Sequence, residues 1–284
     1  MRGNLCEGSL MATSRFSVPV ITLILIVVSV VMLFPFYWMV TSSFKPMGQL
    51  FTVPLELFPT TFTLSSYEKL LSNTPFIRWY FNSLIVTALY TGLAIFFSTL
   101  AGFGFSKYDF KGRNVLLVIV LASMMIPLHS VAIPLFMLLV RIEWVNTYQG
   151  VVIPFSASAF GIFYMTQYMR SIPSELLDAG RIDGCSELGL YGRIMLPLLK
   201  PAIGVLTIYF SMVSWNWFLW PLVVMRDQSM FTLNVGLATL ISDYRQRYDE
   251  LMAGSVLSSI PIILLFLFMQ RSFISGLTAG AVKQ

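Results

Sequence analysis

The chain has 284 residues, of which 57% are hydrophobic and only 11% charged, against roughly 45–50% and about 25% in an ordinary soluble domain. Its mean hydropathy of +0.79 means more apolar surface than a chain of this size can bury, so much of it must face lipid. A soluble enzyme and a disordered chain are excluded. The net charge of +5 gathers into no basic run of the kind that tracks a phosphate backbone, which argues against a nucleic-acid partner.

Crossing the hydrocarbon takes about 20 mostly apolar residues. Six stretches reach that length or nearly so: 18–40, 83–104, 115–140, 150–169, 202–225 and 255–269, the last extending back toward Leu251 to give about 251–270. None contains Lys, Arg, Asp or Glu. The first is too long for a cleaved signal peptide and no A-x-A site follows it, so it reads as an uncleaved anchor; Met11 is an alternative start. The loops between the spans are uneven, with 41–82, 170–201 and 226–254 long and 105–114 and 141–149 short.

An even number of spans puts both termini on one side. The termini with loops 105–114 and 170–201 hold Arg2, Arg15, Lys107, Lys111, Arg113, Arg170, Arg181, Arg193, Lys200, Arg271 and Lys283, the larger share of the 18 basic residues. The positive-inside rule therefore predicts cytoplasmic termini for a multi-pass membrane protein. Trp38, Trp79, Trp144, Trp220 and Tyr168 fall near span ends, as an aromatic belt requires. Cys6 and Cys185 are too few for a disulfide framework, and both fall on the reducing side.

Ion-coupled carriers keep ionisable residues in the membrane. Here the predicted spans hold His129 and no acid, and His129 between Pro127 and Pro134 reads as a partner for a carbonyl freed by a proline kink. No cluster has metal spacing, and none of the six lysines follows a glycine, so no P-loop can be written. A membrane-embedded enzyme has no catalytic constellation to use. Active transport would need energy from another polypeptide.

The loop 171–200 reads SIPSELLDAGRIDGCSELGLYGRIMLPLLK. Proline and acids open a first short helix, which should stop at Gly184. A second, 186–195, should end at Pro197. The two predict a compact knuckle with Leu176, Leu177, Ala179 and Gly180 as a small apolar surface. A plain linker needs less order than this.

These residues resemble the EAA motif of ABC-importer permeases. Asp178-Ala179-Gly180 stand at the E-A-A positions, Gly184 at the glycine, and Ile194 with Leu196-Pro197 at the I-x-L-P ending, all in register. Asp for Glu and Gly for the second Ala depart from the pattern and should weaken the first helix locally, while the acidic and small characters survive. Asn82-Ser83-Leu84, the run 215–221 and the C-terminal GLTAGAVKQ are similar to the carbohydrate branch, in particular the second permease subunit of maltose-type systems.

The resemblance implies a type I ABC-importer permease fold: an all-α membrane protein of six transmembrane helices in one domain over 1–284. It implies that 171–200 is a cytoplasmic coupling loop, with Glu175, Asp178, Ala179, Gly180, Asp183, Gly184, Ile194, Leu196 and Pro197 as its residues. The cytoplasmic tail 271–284 would contact the ATPase through Gly280, Ala281, Val282 and Lys283. Implied partners are a second homologous permease, two copies of an ABC ATPase that bind the ATP and magnesium, and an extracytoplasmic solute-binding protein. This subunit itself would carry no cofactor and no catalytic or metal site. The loop 226–254, with Asp243, Tyr244, Arg245 and Arg247, would face the binding protein or simply solvent.

The aromatic run 215–220 is open between two uses. Trp215, Asn216 and Trp217 could line a sugar path, or the tryptophans could anchor and pack helices. Ala94, Ser98 and Gly102 at four-residue spacing read as helix packing, and Gln167 with 156–159 as a subunit interface. The implied function is ATP-driven import of a sugar or oligosaccharide by alternating access. The alternatives are an ABC permease for a polyol, phosphodiester or peptide, and a stand-alone secondary transporter or channel.

Overall fold

The computed structural model describes residues 17–242 and 245–281, and it is built of helices. In chain order they are α1 (Ser17–Ser43), α2 (Ser65–Asn73), α3 (Phe76–Lys107), α4 (Arg113–Ser123), α5 (Leu128–Arg141), α6 (Tyr148–Val152), α7 (Ala159–Arg170), α8 (Glu175–Ile182) and α9 (Glu187–Gly189). A π-helical turn, Leu190–Met195, leads into α10 (Leu196–Leu198), α11 (Lys200–Trp215), α12 (Leu219–Val224) and α13 (Leu233–Ala238). A two-residue antiparallel pair, β1 (Ile241–Ser242) with β2 (Arg245–Gln246), precedes α14 (Tyr248–Ala281).

Among the described residues, three helices are continuous, long and apolar enough to cross a membrane: Pro19–Ser43, Phe76–Lys107 and Tyr248–Met269. The apolar residues of α1 are exposed around its whole circumference, the pattern of a helix solvated by lipid. Its packing partner is α14.

The other three predicted spans are not single helices. Residues 115–140 divide into α4 and α5 at 124–127, because Pro127 has no N–H to continue a ladder and holds extended backbone (φ −69°, ψ 136°). Residues 150–169 bend by 46° between Tyr148–Phe155 and Ala159–Arg170, where Ser158 caps the new helix by accepting from Gly161 N. Residues 202–225 part at 216–218, between α11 and α12. In an unbroken helix the Pro221 ring would collide with the Trp217 carbonyl four residues back; the break moves Pro221 into a first turn.

α3 packs along α7 and α11, and α11 along α14. The α3–α7 contact is close because its residues are small. A Cβ on Gly102 would lie 2.7 Å from the Met165 Cβ, and one on Gly161 would lie 2.2 Å from the Ser98 Oγ. Ala94 and Ser98 are fully buried. Small-residue spacing in the sequence thus marks a helix–helix seam.

At the opposite end from the knuckle, α3 holds the segment that follows α12. Asn82 Nδ2 donates to the carbonyls of Ser229 (2.8 Å) and Phe231 (2.9 Å), while its Oδ1 accepts from Tyr148 Oη at 2.6 Å. Ser83 Oγ accepts from Leu233 N, and Trp79 Nε1 donates to the Gln228 carbonyl. The ring of Trp79 lies against Gly236, where a Cβ would come within 2.1 Å of it. Trp79 and Trp220 are therefore core residues, 0% and 1% exposed, not members of an aromatic belt. Each buries a full ring and satisfies its indole N–H on a carbonyl, Trp220 on that of Val151. Trp38, Trp144 and Tyr168 are half-buried.

Between α1 and α2 the chain wraps around Lys45, which is fully buried. Its ammonium sits 4.4 Å from the Trp38 ring centre and donates to the Glu56 carbonyl. Cys6, Asp243, Tyr244, Val282 and Lys283 lie outside the described residues, as do the side chains of His129 and Arg245.

Two outcomes follow. Gly102→Ala forces the α3–α7 seam apart and lowers stability by about 1–3 kcal/mol, read as an earlier thermal transition in detergent. Asn82→Ala removes three hydrogen bonds made by one buried side chain and costs about 1–3 kcal/mol, with faster hydrogen exchange of the amides at 229–233.

Candidate functional site: a knuckle held by one arginine

The loop 171–200 folds as two short helical pieces meeting at Gly184. The backbone of Gly184 is left-handed (φ 79°), and the Cys185 N–H reaches back to the Gly180 carbonyl at 2.9 Å, so the glycine ends α8 as its position in the sequence predicts. The second piece departs from expectation. Rather than one helix over 186–195, it is α9, a π-helical turn and α10, and Pro197 sits in the first turn of α10 instead of ending the run. Ser186 caps it, accepting from Gly189 N.

The inner side of the knuckle joins the membrane core. Leu177, Leu190, Met195 and Leu199 are all 1% exposed or less and pack in one cluster with Met165 and Met169 of α7 and Phe103 of α3. Gly180 makes this closure possible. A Cβ there would stand 2.6 Å from both Ile194 Cδ1 and Leu190 Cδ2. The glycine in place of the usual second alanine therefore does not break α8, which continues to Ile182; it admits the facing side chains.

The outer side differs from the predicted apolar surface. Leu177 and Gly180 are buried, whereas Leu176 (45%), Ile182 (87%) and Leu188 (77%) stand exposed, with Ala179 beside them. A helix of eight residues has one inward face, and Leu177 and Gly180, three apart, fill it. Glu175, Asp183 and Pro197 are exposed, and Leu196 is half-buried.

Arg181 ties the knuckle together. Its guanidinium pairs with Asp178 through Nη1 (2.8 Å) and with Glu187 across the Gly184 turn through Nε (2.9 Å). Tyr108, just beyond α3, donates to the other oxygen of Glu187. Hydrogen bonds from Arg181 and then Tyr108 hold the Glu187 carboxyl below its ordinary range. The Glu187 bond, followed by the Asp178 bond, raises Arg181 further, and burial with Glu187 beside it raises Tyr108. Lys107 Nζ donates to the Ile172 carbonyl, and Tyr191 Oη bonds Thr99 Oγ1 at 2.8 Å. Both ends of the knuckle are thus fastened to α3.

Sequence reasoning placed the acids and the turn and missed the clamp. The Asp178–Arg181 spacing was readable as an i,i+3 pair. Arg181 to Glu187 spans a reversal, and no periodicity reports a contact across a turn.

The other candidate residues separate. Trp215 is buried and donates to the Ser258 carbonyl of α14, so it packs helices. Asn216 is exposed and its amide satisfies the Met212 carbonyl. Trp217 is half-buried, with its ring 4.5 Å from that of Tyr90 and 5.8 Å from that of Phe155. In the tail, Gly280 and Ala281 continue the backbone of α14.

Comparison with known proteins gives this arrangement a family. Residues 94–278 match the family described as binding-protein-dependent transport system inner membrane component. The arabinooligosaccharides transport system permease protein AraQ of Bacillus subtilis is 44% identical over 93% of this chain and 95% of its own. Two solved structures share the fold. A bacterial ABC transporter involved in import of the acidic polysaccharide alginate superposes with a TM-score of 0.81 at 22% identity, over 93% of this chain and 99% of that one. A bacterial alginate ABC transporter in complex with an alginate pentasaccharide-bound periplasmic protein gives 0.60 at 20% identity, over 73% and 81%. The chain belongs to the binding-protein-dependent transport system inner membrane components, the non-catalytic permease subunits of ABC importers.

Proposed function

We propose that this permease imports an oligosaccharide by alternating access, driven by ATP hydrolysis on a separate ATPase that grips the knuckle. The observation that carries the reading is the knuckle itself: exposed leucine and isoleucine side chains on a small body that is internally clamped and continuous with the core. A body so fastened moves as one with α3, α7 and α11. The AraQ relative supports an oligosaccharide substrate, and the alginate transporter solved with its periplasmic protein supports an extracytoplasmic solute-binding partner.

In this reading six spans place both termini and the loop 171–200 in the cytoplasm of a bacterial-type inner membrane. Ile182, Leu188, Leu176 and Ala179 enter a cleft of the ATPase, which holds the ATP and magnesium; this subunit needs no cofactor of its own. A second homologous permease faces this one, and two ATPase copies sit below the pair. The tail 280–283 adds a second ATPase contact. The loop 226–254 meets the solute-binding protein, steadied by Arg247, which pairs with Glu250 at 2.7 Å.

Gly184→Arg tests the reading. Residue 184 has open space around it, but its left-handed backbone costs an L-residue roughly 1–2 kcal/mol, and the new cation would stand at the contact. Substrate-stimulated ATPase activity of the reconstituted complex should fall to its unstimulated level while the subunit stays in the membrane; undiminished stimulation removes the knuckle from the mechanism. Glu187→Gln should loosen the clamp and give partial uncoupling at every pH. In the wild type the clamp is complete above the ordinary carboxylate range and is lost only as pH falls through the lowered value of Glu187. Coupling measured as import per ATP should therefore not differ between pH 7 and pH 5.5 through this group.

A further inference from the structure

The three interrupted spans break at the same place in the molecule. Residues from the interruptions at 124–127, 156–158 and 216–218 line one cavity of about 500 Å³. In hydrocarbon a span unwinds only where the freed backbone meets protein or water. α1, α3 and α14 show that this sequence can make unbroken spans. Three breaks converging on one cavity point instead to a compartment that takes something other than lipid.

The lining says what. The half-buried rings of Trp217, Phe155 and Phe160 line it, with the buried rings of Tyr90 and Trp220 beside them and Met124, Ile126 and Val131 across the opening. Trp217 lies at 4.5 Å from Tyr90 and 5.8 Å from Phe155, and Phe155 at 5.3 Å from Trp220, so the rings form one continuous wall. Polar groups are few: the Tyr90 hydroxyl, Ser123 at the end of α4, which bonds the Val120 carbonyl, and those at the break before α7. Ser158 is there, and the first N–H groups of α7, at Ala159 and Phe160, have no intrahelical acceptor by helix geometry. An aromatic wall beside a small set of donors matches a sugar ring, which offers C–H faces to the wall and hydroxyls at its rim. An acyl chain would use the wall and have no use for the breaks.

We propose that this cavity is a saccharide subsite contributed by this subunit, in which Trp217 stacks on one ring of the passing oligosaccharide. Tyr90 and Phe155 brace the indole, and the start of α7 receives hydroxyls of the same ring. The proposal rests on the oligosaccharide-permease reading above and adds that this chain, and not only its partner permease, touches the sugar. It assigns Trp217 to the path and releases Trp215 and Asn216 from it.

The test uses the complete complex in liposomes with its solute-binding protein at saturation and arabino-oligosaccharides as probe. Trp217→Ala should lower import roughly three- to tenfold, the value of one aromatic contact, while ATPase stimulation persists and Trp217→Phe recovers most of the rate. Independently, Ala157→Cys, made with Cys6→Ser and Cys185→Ser, should react with a membrane-impermeant thiosulfonate, and saccharide should slow that reaction during turnover. An unreactive thiol means that lipid or a neighbouring helix fills the cavity and overturns the proposal. So does a reactive thiol that saccharide fails to protect, or full import by Trp217→Ala. If Trp217→Ala does not assemble, the protection measurement decides. A wild-type complex that imports no saccharide at all defeats the permease reading itself, a distinct result.

Discussion

Both ends of the molecule are tied to one helix. α3 runs 32 residues, about 48 Å at the rise of an α-helix, without a break. Near its start Trp79, Asn82 and Ser83 hold 228–233 by side-chain hydrogen bonds. Near its end Thr99, Lys107 and Tyr108 hold the knuckle. Along it Ala94, Ser98 and Gly102 seat α7 so closely that neither Gly102 nor the facing Gly161 has room for a Cβ. Interrupted helices surround it. An unbroken rod among broken ones gives the two faces of the membrane a fixed separation, and the other elements take their places by reference to it.

This division of labour follows from the solvent. Lipid offers no hydrogen bonds, so each polar group in the spans must be satisfied within the protein. The hydroxyls of Thr99, Thr166, Thr207 and Ser214 do so by bonding carbonyls four residues back in their own helices. Where a turn has to open, a serine cap or a proline in a first turn limits the number of groups set free. Charge is kept to the ends. Lys45 is fully buried, and even it lies in the loop between α1 and α2 with a carbonyl and an indole as partners.

Much of this was legible in the sequence, and what was not has identifiable physical reasons. Apolar run length reports how much chain lies in the membrane, because that depends on composition alone. It does not report whether the run is one helix. Pro127, Pro154 and Pro221 were visible, but a proline inside a span can kink, cap or break it, and the outcome depends on what its neighbours offer the freed groups. Gly184 was readable because a left-handed turn has a single-residue cause. Gly180 was misread as a weakness, since the sequence cannot show Leu190 and Ile194 pressing on it from the far side of the turn. Trp79 and Trp220 failed as interfacial markers for a similar reason. Both have carbonyl partners deep in the fold, and only three-dimensional packing distinguishes such an indole from one at a lipid headgroup.

The clamp made by Arg181 has a mechanical meaning. A loop that ordered only when gripped would absorb part of any pull as its own deformation, and a partner's binding free energy would go partly into holding it still. The knuckle is ordered before any partner arrives: its buried leucines join the core, and outside them one guanidinium bonds a carboxylate on either side of the turn while a phenol from the neighbouring segment bonds the second carboxylate. In the coupling proposed above, a displacement applied at Ile182 or Leu188 would pass to α3 and α7 through these bonds and through the buried contacts of Leu177 and Leu190. For the ATP-driven import proposed above, stiffness would set the gearing: the less slack in the peg, the closer the ratio of molecules moved to nucleotides consumed could come to its stoichiometric limit.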